Sequence, residues 1–192
     1  MQDGPVIKQA ILSGLSMPMF PMRPKSGRQI TTKTDIKDIF TRMKSGWTVQ
    51  LKINGDRAQV GVNENGIHVA NRHGGWYGLS VDTTEWKSLP PGTLLDGEIF
   101  KKKFYPFEVV AYDGLSMDRS TPADREAKAR WLCEKHGVKW LYEPTQGVLS
   151  KMRENMPVIE GVVLKMANTP YLPLSTATRE SDAWIKWKWQ GA

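Results

Sequence analysis

Short runs in which apolar and polar residues alternate recur from Trp47 to Trp189, and they leave little of the chain for helices. In W-T-V-Q-L-K, Trp47, Val49 and Leu51 alternate with Thr48, Gln50 and Lys52, so a strand here turns Lys52 away from the three apolar residues. Residues 58–62 and 67–71 flank N-E-N-G, the turn chemistry of a β-hairpin. Residues 93–100, 104–112, 138–142, 158–166 and 184–189 read as further strands. Two segments break this rhythm. Ile36, Ile39, Phe40 and Met43 recur at helical spacing before Gly46. Thr121-Pro122 opens a second helix that Gly137 closes, with cap, proline and glycine in their favoured places. A short helical piece is expected over residues 148–154. Many strands with two or three interspersed helices predict an α+β domain. Residues 1–30, with prolines at 5, 18, 21 and 24, read as an extended lead-in, and residues 1–192 as a single domain.

Composition narrows the function classes. Lys and Arg outnumber Asp and Glu by 27 to 20, a net charge of +7, which suits a polyanionic partner such as nucleic acid. Cys133 is the only cysteine, so an internal disulfide and a cysteine-rich zinc site are both excluded. It falls in a helical pattern with Ala129 and Leu132, where a buried structural thiol is expected. His68, His73 and His136 lack metal-ligand spacing. No apolar run approaches a membrane span and no secretory signal layout opens the chain, so no membrane partner and a reducing, cytosolic setting are expected.

Five stretches carry residues that can do chemistry. L-K-I-N-G-D-R (51–57) ends a strand with Lys52 before Asn-Gly, an ordinary solvated turn when taken alone. A-N-R-H-G (70–74) places Arg72 at a strand end. In L-L-D-G-E-I-F (94–100), Asp96 and Glu98 share one face of an apolar strand; acids so placed line a polar cleft or face water. I-E-G-V-V-L-K (159–165) has the form of a central strand with Glu160 and Lys165 at its ends. In W-I-K-W-K-W (184–189), Lys186 and Lys188 share one face, where two like charges repel unless an anion lies between them. A phosphate is the natural anion, and a basic edge strand that resists aggregation is the other reading.

Taken in order, these stretches resemble the motifs of the covalent nucleotidyltransferases, and of the ATP-dependent DNA ligases most closely. The likeness runs from about Gln50 to Lys188. K-I-N-G-D-R is similar to that family's K-x-D-G-x-R, N-R-H-G to its S-R-x-G, and Asp96-Gly97-Glu98 to its D-G-E. F-E-V-V-A-Y-D-G (107–114), Arg125 in the second helix, E-G-V-V-L-K and W-I-K-W-K match its later elements, and Arg179 with Ser181 also looks ligase-like. The fold implied is a nucleotidyltransferase (adenylation) domain with antiparallel sheets, flanking helices and a nucleotide cleft between the sheets.

The resemblance implies a ligase that uses ATP and Mg²⁺ to seal nicked double-stranded DNA through a lysine–AMP intermediate. RNA ends, capping-type guanylyl transfer or a silent nick-binding module are the alternatives. Lys52 would attack the α-phosphate; nearby cations and partial burial would lower its pKa, with Lys186 and Lys188 supplying the field and holding the phosphate. Glu160 would bind the metal, with Asp96 or Glu108 as further ligands. Glu98 would bind the ribose hydroxyls, Phe107 would stack on the base, and Gln50 would reach the adenine edge. Arg57 and Arg72 would clamp the nick phosphate, and Lys101, Lys102 and Lys103 could follow the strand backbone. Two departures stand out. Asn54 replaces the family's aspartate, and the chain stops four residues after Lys188 where relatives continue into an OB-fold domain. A fragment, a minimal enzyme or a partner chain would each account for the second departure. A monomer is expected, and so compact a ligase suits a virus or a mobile element.

Overall fold

The computed structural model describes residues 21–73, 75, 77, 80–151, 158–172 and 180–190. Its first helix, α1 (Lys33–Lys44), is capped at Thr32. The Thr32 side chain accepts from the Asp35 N–H while the Asp35 carboxylate accepts from the backbone N–H groups of Thr31 and Thr32. Those two backbone bonds hold the Asp35 carboxyl down to about 2. α2 (Pro122–Lys135) repeats the device with Thr121 and Asp124, and carries Pro122 in its first turn. A third, short helix, α3, spans Gln146–Ser150.

The strands are β1 (Pro24–Ile30), β2 (Thr48–Ile53), β3 (Asp56–Asn63), β4 (Gly66–Asn71), β5 (Thr93–Phe100), β6 (Lys103–Tyr112), β7 (Leu115–Ser116), β8 (Ile159–Lys165) and β9 (Ser181–Trp189). They form a four-stranded sheet in the order β1-β9-β8-β2 and a five-stranded sheet in the order β4-β3-β5-β6-β7. All neighbours are antiparallel except β1 and β9. β5 is covered on both faces, because Leu94 belongs to a core shared with Leu51, Leu164 and Trp184, while Leu95 belongs to a second core with Leu132 and Cys133 of α2. The first core fills the space between the sheets; the second glues α2 to the outer face of the five-stranded sheet. This is the α+β architecture read from the sequence, and the described residues include no OB-fold barrel. No helix among them is long and apolar enough to cross a membrane.

Two segments differ from expectation. Residues 1–20 of the lead-in lie outside the described residues, but residues 24–30 are a strand, β1, docked on β9. Most of its side chains face solvent, so no apolar alternation announced it. Residues 138–142 are extended without belonging to a sheet. They cross the free edge of β2, where the Leu51 N–H donates to the Tyr142 carbonyl at 3.0 Å. Trp140 and Tyr142 are held instead by edge-to-face ring packing at 5.1 Å. Their apolar alternation thus reflects packing, not a ladder.

Candidate active site

Strand register brings the basic residues together. Lys52 on β2 lies opposite Gly161 on β8, which lies opposite Lys188 on β9. One period along, Gln50, Val163 and Lys186 form the next row across the same three strands. Period-two geometry therefore gathers Gln50, Lys52, Lys186 and Lys188 on one face of the sheet. Between Lys52 and Ile53 the register slips, because Ile53 pairs with Ile159 and Glu160 is left as the extra residue of a β-bulge. The bulge re-aims Glu160 onto the lysine face. Its carboxylate accepts from Nζ of Lys52 through one oxygen and from Nζ of Lys188 through the other.

Two glycines are needed for this arrangement. Gly161 has φ +154°, and a Cβ there would stand 2.0 Å from the Trp187 carbonyl oxygen. At Gly55, in the turn after Lys52, a Cβ would stand 2.4 Å from the Ile99 carbonyl oxygen on β5. The turn is thus pressed against the second sheet, and the Asn54 N–H ties it to the Val158 carbonyl at 2.8 Å.

The electrostatics follow from burial and pairing. Burial opposes ionisation of Glu160, but hydrogen bonds from Lys188 and Lys52 outweigh it and keep its carboxyl below the ordinary value. Lys186 pairs with Glu180 at 3.3 Å. Glu98 on β5 faces the cleft with less support. Burial pushes its carboxyl up to about 7, and the nearby charges of Lys52 and Arg57 only partly offset this.

Behind these residues lie two buried networks. In the first, Asp96 accepts from Nε of Arg57 at 2.6 Å and from its Nη2, while Nη2 also donates to the Met22 carbonyl at 2.9 Å. In the second, Nζ of Lys165 donates to Oε1 of Gln50 and, at 2.7 Å, to Glu108, whose other oxygen accepts from Nε of Arg125 at 2.8 Å. Nε2 of Gln50 donates to the Phe107 carbonyl and to Glu126, both at 2.9 Å. Lys165 and Arg125 are cations with essentially no exposure, so paired carboxylates beside them are required.

A cleft of about 660 Å³ opens between the sheets. Lys52, Lys186, Lys188, Gln50, Arg57, Arg72, Glu98, Phe107 and Glu160 all line it, together with Arg23, Tyr142, Lys165 and Trp184. Asp96 does not. Its carboxylate is fully buried and committed to Arg57 and Tyr171, so the acid expected to share a metal is a structural ion-pair partner instead. Gln50 also departs from expectation, because its carboxamide spends its acceptor on Lys165 and both donors on Phe107 and Glu126. Phe107 is 8% exposed, with the Arg57 guanidinium 4.6 Å and the Lys165 ammonium 4.9 Å from its ring centre. Arg72 sits at the exposed mouth, where Nε contacts the His73 ring at 3.0 Å. Lys103 pairs with Glu85 at 2.7 Å, and Lys101 to Lys103 do not line the cleft. Gly74 and Arg179 lie outside the described residues. Among the described residues no three metal-binding side chains converge. The residues missed from the sequence are Arg23, Tyr142 and Tyr171, which lie outside the strands and carry no motif spacing, and Trp184, which shares the lysine face of β9.

Two facing sheets, with a lysine row across one and an acid-bearing strand of the other closing over it, make the nucleotidyltransferase domain fold of ATP-dependent DNA ligases. Among solved structures the chain is similar to a mycobacterial DNA ligase D complexed with ATP and MES, with TM-score 0.59 and 17% identity over 88% of this chain and 60% of that one. It is likewise similar to the ligase domain of M. tuberculosis LigD, with TM-score 0.60 and 18% identity over 88% of this chain and 59% of the other. The chain thus spans about three fifths of each of those structures. No protein-family model and no curated protein matches it.

Proposed function

We propose that this chain is the nucleotidyltransferase domain of an ATP-dependent polynucleotide ligase that seals nicks in DNA. One observation carries the reading. Lys52 and Lys188 clasp a single carboxylate in a cleft between the sheets, with Lys186 one strand period away. Three ammonium groups that share two carboxylates, Glu160 and Glu180, keep an excess of positive charge and form a receptor for further negative charge. The ATP complex of the mycobacterial ligase with this fold supports a nucleotide as that charge.

In the first step the α-phosphate enters between Lys186, Lys188 and Lys52. Lys52 exchanges its contact with Glu160 for the incoming phosphate and loses a proton to solvent. Its Nζ then bonds to the α-phosphorus as the bond from that phosphorus to pyrophosphate breaks. Lys186 and Lys188 offset the charge that develops on the phosphoryl oxygens. In the second step an oxygen of the nick 5′-phosphate displaces Lys52 from the AMP phosphorus. In the third, the 3′-hydroxyl attacks the 5′-phosphorus and AMP leaves. Arg72 at the cleft mouth and Arg57 in the cleft wall would hold that phosphate.

Glu98, titrating near neutrality, can both accept from and donate to ribose hydroxyls. Phe107 and Trp184 would form an apolar wall for the base, and Gln50 would serve it by holding Lys165 in place. Mg²⁺ takes few protein carboxylates and completes its shell with phosphate oxygens and water. Glu160, which lines the cleft beside Lys52 and Lys188, fits that donor set. Bound there, the ion would neutralise phosphate charge.

Incubation with α-labelled ATP or GTP and Mg²⁺ tests the reading. Acid-labile label from ATP, lost in Lys52→Ala, is the expected result. Label from GTP alone would instead mark a capping-type enzyme, and no label from either nucleotide would mark a silent binding module. Comparison of nicked DNA with nicked RNA then decides the substrate.

A further inference from the structure

Arg57 owes its orientation to a residue outside every motif. Tyr171 lies 114 positions later, in the segment after β8, and is 1% exposed. Its hydroxyl donates to Oδ2 of Asp96 at 2.6 Å, and accepts from Nε2 of Gln59 at 3.1 Å and from the Met22 N–H at 3.2 Å. A phenol oxygen can make no more bonds than this, so its direction is fixed from three sides. Gln59 pairs with Asp96 across β3 and β5, and Arg57 is the next residue on the same face of β3. Asp96, gripped by Tyr171, in turn takes Nε and Nη2 of Arg57. Met22 closes the loop, because its N–H holds Tyr171 and its carbonyl accepts from Nη2 of Arg57.

With Nε and Nη2 occupied, Nη1 is the guanidinium nitrogen left for a ligand among the described residues, and Arg57 lines the cleft. An arginine that usually offers a two-nitrogen fork is thereby reduced to one nitrogen held at a set angle. The Tyr171 ring also packs edge-to-face on Trp184 at 5.8 Å, and Trp184 lines the same cleft.

We infer that Tyr171 is a positioning residue, which through Asp96 aims Nη1 of Arg57 at the 5′-phosphate of the nick. This rests on the ligase reading above for the identity of the phosphate, but not for the hold on Arg57. An aimed donor lowers the reorganisation needed to bring the phosphate oxygen in line with the lysine-bound AMP.

The test uses the full chain and the variants Tyr171→Phe, Arg57→Ala and their combination. Phenylalanine keeps the ring on Trp184 and removes only the hydroxyl. Transfer of AMP from pre-labelled protein to a 5′-phosphorylated nick should fall roughly tenfold relative to Lys52 labelling in the same samples, the size of one lost hydrogen bond to a charged group. If Tyr171 acts through Arg57, the double variant is no worse than Arg57→Ala alone. Fully additive losses, or equal losses in labelling and transfer, would overturn the inference.

A second measurement is independent of activity. The ¹⁵N relaxation of the Arg57 Nε–H should report a rigid group in the wild type and a mobile one in Tyr171→Phe. Should that variant not fold, Gln59→Leu removes one of the bonds that orient the hydroxyl and should loosen Arg57 in the same direction. An Arg57 side chain as rigid in every folded variant as in the wild type sinks the proposal. A wild type that never labels Lys52 sinks the ligase reading, and the relaxation experiment still decides the role of Tyr171.

Discussion

Glu98 places a titration in the middle of the physiological range, and its effect on stability can be worked out. An unfolded glutamate titrates at about 4.5, whereas burial raises this one to about 7 in the folded protein. Below the unfolded value both states hold the proton, and Glu98 has no bearing on stability. As pH rises from about 4.5 to 7 the unfolded chain releases the proton and the folded one keeps it, so stability falls. Above about 7 the folded state carries a charge in a site that resists it, and the loss levels off at roughly 3 kcal/mol. Glu98→Gln copies the protonated form. In urea melts the variant and the wild type should differ little at pH 4.5, while at pH 8 the variant should be more stable by about 2–3 kcal/mol. The difference, not either curve alone, isolates Glu98 from other groups that titrate in this interval. A gap that stays constant with pH would show that Glu98 titrates like an ordinary glutamate, and the argument from burial would fail.

Gly161→Ala should separate β8 from β9, since the new Cβ needs more than 1 Å of extra room beside the Trp187 carbonyl. Misplacement by that much would reduce Lys52 labelling by about two orders of magnitude, read by α-labelled ATP; labelling at the wild-type rate would contradict the close approach. Leu132→Ala, on the buried face of α2, should cost about 2–5 kcal/mol in urea unfolding, and a midpoint shift too small to resolve would show that the helix is loosely docked. Cys133 is buried, and burial pushes its thiol up to about 12. It should react with an aromatic disulfide reagent only at the rate of unfolding, and rapid reaction in native buffer would mean that α2 opens readily.

Much of this fold is legible in the residues, for reasons that also explain what is not. Strands such as β2 and β9 show their apolar residues at period two, and the caps of α1 and α2 use side chains whose chemistry is local. β1 is invisible because its outward residues carry no pattern and its partner is more than 150 positions away. At the site, strand parity was enough to set Lys52 away from its apolar neighbours and to put Lys186 and Lys188 on one face, while pairing through β8 brings the three together. It could not find the bulge that turns Glu160 to join them, since a bulge is a property of two paired strands. Asp96 and Glu98 look alike by period two, yet one is sealed under Arg57 and Tyr171 while the other faces the cleft. The partners that seal Asp96 lie 39 and 75 positions away, out of reach of any local pattern.

The two sheets also differ in how their strands are drawn from the chain. Strands β3 to β7 are consecutive in the chain, so the five-stranded sheet can form while the rest of the polypeptide is still being made. The other sheet draws on strands far apart in sequence, because β8 gains its second neighbour only when β9 pairs with it on the side away from β2. Lys52 is therefore synthesised early but gains Lys186 and Lys188 beside it only when the last strand emerges. Between those two moments Lys52 stands on its strand face without the two lysines that later share it.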